Sequence, residues 1–458
     1  MTIINEEALW SALTKGQKKV KDRAYVQALL AKAKEAKGLS YQESAVLLHL
    51  EDQDLLAEMF QTARTIKENI YGKRIVLFAP LYVSNYCVNN CTYCGYQQKN
   101  KELKRKKLSK EDLIEEVRIL ESLGHKRLAL EAGEDDHNCS LDYILDCIQT
   151  IYSIKFDNGA IRRINVNIAA TTEENYRRLK EAEIGTYILF QETYHQETYK
   201  KVHPRGPKHN YKWHLTAMDR ALKAGIDDVG IGVLYGLYDH KFDTLAMIKH
   251  AEHLDNTHGV GPHTISVPRL RAAAGINLKT FPYLVNDQDF KKIVAVLRLT
   301  VPYTGMILST REVPQFRDEV IALGISQISA GSCTGVGGYK KGDSGQFEIE
   351  DHRSPAEILK SLCLSGYIPS YCTACYRKGR TGDQFMPLAK SGEIHNVCLP
   401  NAILTFKEFL LDYADSELKK IGDQTINQAL ESIPKKATRL ATQKYLSKLE
   451  QGERDFYF

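Results

Sequence analysis

Along the first 73 residues, apolar side chains recur at three- and four-residue spacing, as in "AYVQALLAKAKEAKG" and "DLLAEMFQTARTIKENIYG". That period matches the turn of a helix, and both stretches end at glycine, so the segment reads as helical. From residue 74 to about 335 the pattern changes. Short apolar runs alternate with amphipathic ones: "IVLFAPLYV" (75–83), "RLALEAG" (127–133), "INVNIAA" (164–170), "TYILFQETY" (186–194), "DVGIGVLYGL" (228–237), "HTISVPRL" (263–270), "GMILSTRE" (305–312) and "QISAGSCT" (327–334). Between the first two runs lies "SKEDLIEEVRILESLG", where Ser109 can cap a helix and Leu113, Val117, Leu120 and Leu123 form one face. Strands separated by helices pair in parallel through right-handed crossovers, and eight of them close a barrel. The expected fold class is therefore α/β: a (β/α)8 TIM-type barrel over 74–340, preceded by a helical extension at 1–73. Residues 341–458 form a third region, opening on a polar, glycine-rich linker and otherwise mainly helical.

Composition sets limits on this picture. At 458 residues, 43% hydrophobic and 26% charged, the chain has the make-up of an ordinary globular protein. No run approaches eighteen apolar residues and the N-terminus lacks a secretory pattern, which predicts a cytoplasmic protein without a membrane span. The balance of 62 basic against 57 acidic residues does not suggest a nucleic-acid partner. One local run stands out, "KNKELKRKK" at 99–107, with six basic side chains. It is either a solvated loop or a docking surface for an acidic electron donor such as flavodoxin or ferredoxin, steered by the local field.

Ten cysteines are too sparse for a disulfide scaffold. Their clustering points instead to metal ligands or redox groups. Cys139, Cys147, Cys333 and Cys363 are scattered and read as small buried residues. "SNYCVNNCTYCGY" at 84–96 carries Cys87, Cys91 and Cys94 just past the first strand, where the reactive centre of a barrel belongs. A structural zinc site closes four ligands, and this loop offers three. Three thiolates on a 4Fe–4S cube leave one iron free to bind a small molecule and pass it an electron.

C-x3-C-x2-C with Tyr93 before the last cysteine resembles the signature of the radical S-adenosylmethionine (SAM) superfamily. The resemblance implies that the open iron chelates SAM and that the reduced cluster cleaves it to a 5′-deoxyadenosyl radical. It also implies a Gly-Gly-Glu motif ending the second strand and holding the methionyl amine. Here the motif reads Ala132-Gly133-Glu134, with alanine in place of the first glycine. Polar residues recur at other strand ends: Asn165 and Asn167, Gln191 and Glu192, Arg269 and Arg271, Arg311 and Glu312. Together they describe a polar cavity suited to a zwitterion such as SAM or an amino acid, with Asn167 and Gln191 as expected cofactor contacts.

A second set, Cys372, Cys375 and Cys398, has the spacing C-x2-C-x22-C. From chemistry alone, a zinc knuckle completed by His395 and a second three-thiolate iron–sulfur cluster both remain open. The cysteine loop, "SVPRLRAAAG", "STREVPQFRDEVIALGISQISAGSCTGVGGY" and the C-terminal cysteines together resemble the tyrosine lyases that mature FeFe-hydrogenase. The thiamine-pathway tyrosine lyases share the barrel but lack the second cysteine set. The resemblance implies cleavage of the Cα–Cβ bond of L-tyrosine to p-cresol and dehydroglycine at the first cluster. Dehydroglycine is then converted to carbon monoxide and cyanide at an auxiliary cluster carrying an additional iron, with L-cysteine as a further iron ligand. The iron carbonyl–cyanide product passes to a downstream hydrogenase maturation scaffold. The family also places a histidine on that iron, expected here at His263, and the carboxylate of tyrosine is expected at Ser309 and Arg311. Two alternatives stand beside this reading: a lyase that stops at dehydroglycine, as a 2-iminoacetate synthase does, and a non-catalytic iron–sulfur scaffold or carrier.

Overall fold

Strand-forming runs that are apolar at nearly every position must be covered on both faces, and the chain meets that demand by wrapping helices around a closed parallel sheet. The computed structural model describes residues 2–341 and 345–458. Its strands are β1 (Arg74–Ser84), β2 (Arg127–Ala132), β3 (Arg163–Asn167), β4 (Tyr187–Glu192), β5 (Val229–Val233), β6 (Thr264–Ser266), β7 (Gly305–Leu308), β8 (Gln327–Ser329) and β9 (Ile368–Ser370). β1 to β8 pair in sequence, and β8 returns to β1 to close the barrel. All eight expected strands are present. Several are shorter at their C-terminal ends than the apolar runs suggest, because the chain there leaves the sheet to build loops.

β1 shows how the two faces divide. Ile75, Leu77, Ala79, Leu81 and Val83 are fully buried on one face. The alternate positions Val76, Phe78, Pro80 and Tyr82 line cavities within the barrel, as the period of two requires. At eleven residues, β1 is long enough to serve three neighbours in turn. Its start pairs with β9, its middle with β8, and its end with β2.

The ninth strand is the main departure from the expected topology, since the C-terminal region reads as helical apart from its cysteine loop. Its short run, Ile368–Ser370, pairs in parallel with Arg74–Val76. This pairing delivers the chain that follows, with Cys372 two residues on, to the N-terminal end of the barrel. The helix after β1 spans Lys110–Ser122, and Ser109 Oγ accepts the amide of Asp112 at 3.1 Å as its cap. Four helices between Glu6 and Tyr71 precede the barrel, as expected.

The segment read as a linker is partly structural. Residues 342–344 lie outside the described residues. Beyond them, the amides of Gln346 and Glu348 donate to Thr334 O and Ala272 O, and those of Glu350 and Asp351 to Thr310 O. Gln346 and Phe347 thereby lie over the upper end of the barrel.

Candidate active site and second cysteine site

The loop after β1 is fixed before any ligand is considered. The Val88 amide donates to Glu134 O at 2.8 Å, and the Gly133 amide donates to Ser84 O at 3.0 Å. A Cβ at Gly133 would stand 2.2 Å from Tyr86 O and 3.1 Å from the Cβ of Cys87. Only glycine lets the end of β2 lie against the cysteine loop. Arg105, within the basic run, forks its guanidinium onto Asn85 O (2.6 Å), Tyr96 O (2.8 Å) and Gln97 O (2.5 Å). These carbonyls flank Cys87–Cys94 on both sides, so one cation closes the loop. Lys107 stacks over Tyr143, while Lys99, Lys101 and Lys104 are exposed.

Cys87, Cys91 and Cys94 line one cavity with about 930 Å³ of empty space, its open mouth included. Tyr93, Gly133, Glu134, Asn167 and Arg311 share its wall. Glu134 Oε2 accepts from Asn89 Nδ2 at 2.5 Å, and the Tyr93 hydroxyl meets His203 Nε2 at 2.7 Å. Gln191 does not line this cavity. A register shift between Phe190 and Glu192 interrupts the alternation of β4, and Glu192, with Leu189 and Phe190, lines the cavity in place of Gln191. Lys208, on the loop beyond β4, donates to Glu192 at 2.7 Å. Neither member of this pair stands out in the sequence as a partner of the other.

The upper site fits a cluster ligated by thiolates. Burial pushes the Cys94 thiol up to about 12 and raises Cys91 as well, with Lys208 pulling Cys91 the other way. Thiols this reluctant to ionise need a positive metal centre to hold them as thiolates. Among the described residues, no three His, Cys, Asp or Glu side chains converge tightly enough for a single ion. All three thiols line the same cavity.

A second cavity adjoins the first inside the barrel and is lined by Ser309 and Arg311. Successive inward positions then lead to the barrel floor: from Phe78 to Val76 on β1, Ala129 to Arg127 on β2, Ile307 to Gly305 on β7, and Ser329 to Gln327 on β8. At the floor, Cys372, Cys375, Cys398 and His263 line a third cavity together with Arg74 and Arg127. The four expected residues thus meet at the end of the barrel opposite the first cysteine loop.

The electrostatics there suit bound thiolates. Cys398 is held below the ordinary thiol value by the neighbouring Cys375 and by the cations Arg74, Arg380 and Arg127, against burial. Burial raises Cys372, whose carbonyl accepts from Arg127 at 2.7 Å. Burial also lowers His263, keeping its imidazole neutral as a metal ligand requires. Its Nδ1 stands 3.5 Å from Asp228 Oδ1, and its ring packs on Phe385 with centroids 4.6 Å apart. Nδ1 makes no hydrogen bond among the described residues, so Asp228 neighbours the ring without being bonded to it. His395 lies apart from this wall, its ring against the backbone of Gly72. The histidine on this wall is thus His263, not His395.

Other polar strand-end residues are structural. Asn165 Oδ1 accepts the Thr186 amide at 3.0 Å. Arg269 pairs with Glu312 and with Asp287, and Arg271 pairs with Glu312 at 2.7 Å. Cys139, Cys147 and Cys363 are buried as expected, whereas Cys333 is half-buried. No helix among the described residues is long and apolar enough to cross a membrane.

Known proteins share this architecture. Residues 81–250 match the Radical SAM superfamily, and residues 266–368 match the Biotin and Thiamin Synthesis associated domain. The 2-iminoacetate synthase of Salmonella typhimurium is 32% identical over 342 residues, covering 74% of this chain and 88% of that protein. A crystal structure of HydG, described as a maturase of the [FeFe]-hydrogenase, superposes with a TM-score of 0.97 at 64% identity, covering all of both chains. The chain belongs to the HydG family. A second member, from Carboxydothermus hydrogenoformans, is 42% identical with a TM-score of 0.83, covering 97% of this chain and all of that one. As a HydG-family protein, the chain is a radical SAM hydrogenase maturase, and its superfamily works with a 4Fe–4S cluster and SAM.

Proposed function

We propose that the chain cleaves L-tyrosine to p-cresol and dehydroglycine in the upper cavity and converts dehydroglycine to carbon monoxide and cyanide at the barrel floor. The product is an iron carbonyl–cyanide unit for the hydrogenase H-cluster. The observation that carries this reading is the pair of three-cysteine walls at opposite ends of one barrel lumen. A single lyase step calls for one such wall.

Cys87, Cys91 and Cys94 hold the first cluster, which when bound supplies the electron that splits SAM. Gly133 leaves room for the SAM head against the cysteine loop, and Glu134, steadied by Asn89, accepts from its amine. Tyr93 and Asn167 complete that wall. Arg311 presents its fork to the tyrosine carboxylate with Ser309 beside it, suited to bidentate contact. Phe347 fixes the plane of that fork, with the Arg311 guanidinium 3.3 Å from its ring centroid. At the floor, Cys372, Cys375 and Cys398 hold the auxiliary cluster, and Arg74, Arg127 and Arg380 offset its negative charge. His263, beside Asp228, and L-cysteine would hold the additional iron.

Anaerobically reconstituted protein given reductant, SAM and tyrosine tests this reading by its products. The expected result is p-cresol together with carbon monoxide and cyanide. p-Cresol with dehydroglycine alone assigns the chain the activity of a 2-iminoacetate synthase. Absence of p-cresol leaves an iron–sulfur scaffold or carrier.

A further inference from the structure

Six residues wall both the cysteine-lined cavity and the adjoining lumen cavity: Glu131, Asn167, Phe190, Arg311, Gln346 and Phe347. They mark the neck through which the two spaces meet. Only two of the six are ionisable, one acidic and one basic. Arg311 arrives on the loop after β7, and Glu131 is an inward-facing position of β2, three residues before Glu134. The Asn167 amide neighbours the Glu131 carboxyl and favours its charged form, and Phe347 stacks on Arg311. Both side chains are therefore held in place by neutral neighbours.

We propose that Glu131 binds the substrate's α-ammonium, so that Glu131 and Arg311 together recognise the zwitterionic head of an α-amino acid. The inference rests on the tyrosine-lyase reading and adds to it a residue that sets substrate class. A buried ammonium needs an acceptor, ideally a charged one, just as a buried carboxylate needs its guanidinium. Glu134 does not fill this role, because it lines only the cysteine-side cavity. Burial pushes the Glu131 carboxyl up to about 8, with Arg311 acting in the opposite sense. An ammonium against it favours the carboxylate, so the pair becomes fully charged as substrate arrives.

The test is equilibrium binding to enzyme holding both clusters and SAM, without reductant so that no turnover occurs. Three ligands separate the two charges: L-tyrosine, tyramine, which lacks the carboxylate, and 3-(4-hydroxyphenyl)propionate, which lacks the amine. Glu131→Gln is expected to weaken tyrosine and tyramine by about ten- to a hundredfold, the ratio for one charge-assisted hydrogen bond, and to leave the propionate within about twofold. Arg311→Gln should weaken tyrosine and the propionate and spare tyramine. Glu131→Asp, which keeps the charge, should recover part of the lost tyrosine affinity. The assignment is overturned if Glu131→Gln leaves tyrosine unchanged, weakens the propionate as much, or lowers SAM affinity in parallel. Wild-type enzyme that binds neither tyrosine nor tyramine defeats the tyrosine reading itself, and this assignment with it.

Discussion

Arg127 and Glu131 stand on the same face of β2, four residues apart, Arg127 in the floor cavity and Glu131 at the neck of the upper one. A strand rises about 3.3 Å per residue, so about 13 Å of barrel separates these two positions. Ala129 is the inward residue between them. Its small side chain leaves that part of the lumen open. The same strand thus carries a cation toward the second cysteine site and an anion toward the substrate neck.

Arg105 is expected to be the clasp of the first cysteine loop. Its three bonds to carbonyls are charge-assisted, each contributing on the order of 1.5–3 kcal/mol where shielded from water. Arg105→Lys keeps the charge and loses the fork. The variant should release iron from the first site several-fold faster under chelator, with the second site unchanged. Equal loss from both sites would point to general destabilisation.

His263→Ala should lose the additional iron and carbon monoxide output while keeping p-cresol formation within about twofold. Asp228→Asn acts one shell further out, and its iron affinity should fall by about ten- to a hundredfold. Iron counting and electron paramagnetic resonance of the second site provide the check. Retention of the extra-iron signal in His263→Ala would show that another group holds it.

Beyond Cys375 the chain is tied down by the C-terminal segment. Arg377 pairs with Asp455 at 2.7 Å, Arg380 reaches Phe458 O, and the Phe458 amide donates to Asn401 Oδ1 at 2.8 Å. Removing residues 455–458 should loosen the stretch that carries Arg380 and Phe385 toward the floor cavity. Chelator should then strip the second site faster, and hydrogen exchange should rise in 376–394. Unchanged exchange there would mean that the segment only decorates the surface.

Asp243 gives a pH-dependent stability signal. It accepts from Thr193 Oγ1 at 3.0 Å and the Tyr194 amide at 2.7 Å, and burial pushes its carboxyl up to about 8. The folded state holds a proton that the unfolded state loses near 3.8, so this residue costs stability as pH rises from about 4 to 8, in full above 8. Asp243→Asn keeps an acceptor oxygen and abolishes that cost. Its melting temperature should gain on wild type as pH rises from 5 to about 8.5. A gain that does not vary with pH would contradict this account.

Much of the fold was legible because barrel strands buried on both faces leave continuous apolar runs, and eight such runs are present. The thiol triads were legible because metal ligation constrains spacing. What sequence reading missed depends on parity and pairing. Gln191 and Glu192 are adjacent polar residues, and only the registered strand says which faces inward. β9 is three residues long, too short for a period, and its placement comes from pairing with the start of β1. Gln346 and Phe347 lie in a glycine-rich stretch whose hydrogen bonds to distant loops leave no local pattern. Glu131 was hidden beside the motif glutamate, distinguished by the direction in which its strand turns it.

Two reactions at the two ends of one lumen should be separable by mutation. Product analysis of the Cys372→Ala variant, reconstituted anaerobically and given reductant, SAM and tyrosine, tests it most directly. The account predicts p-cresol at a rate within about twofold of wild type and no carbon monoxide. Loss of p-cresol along with carbon monoxide, with the first cluster intact, or carbon monoxide that persists without Cys372, would contradict it.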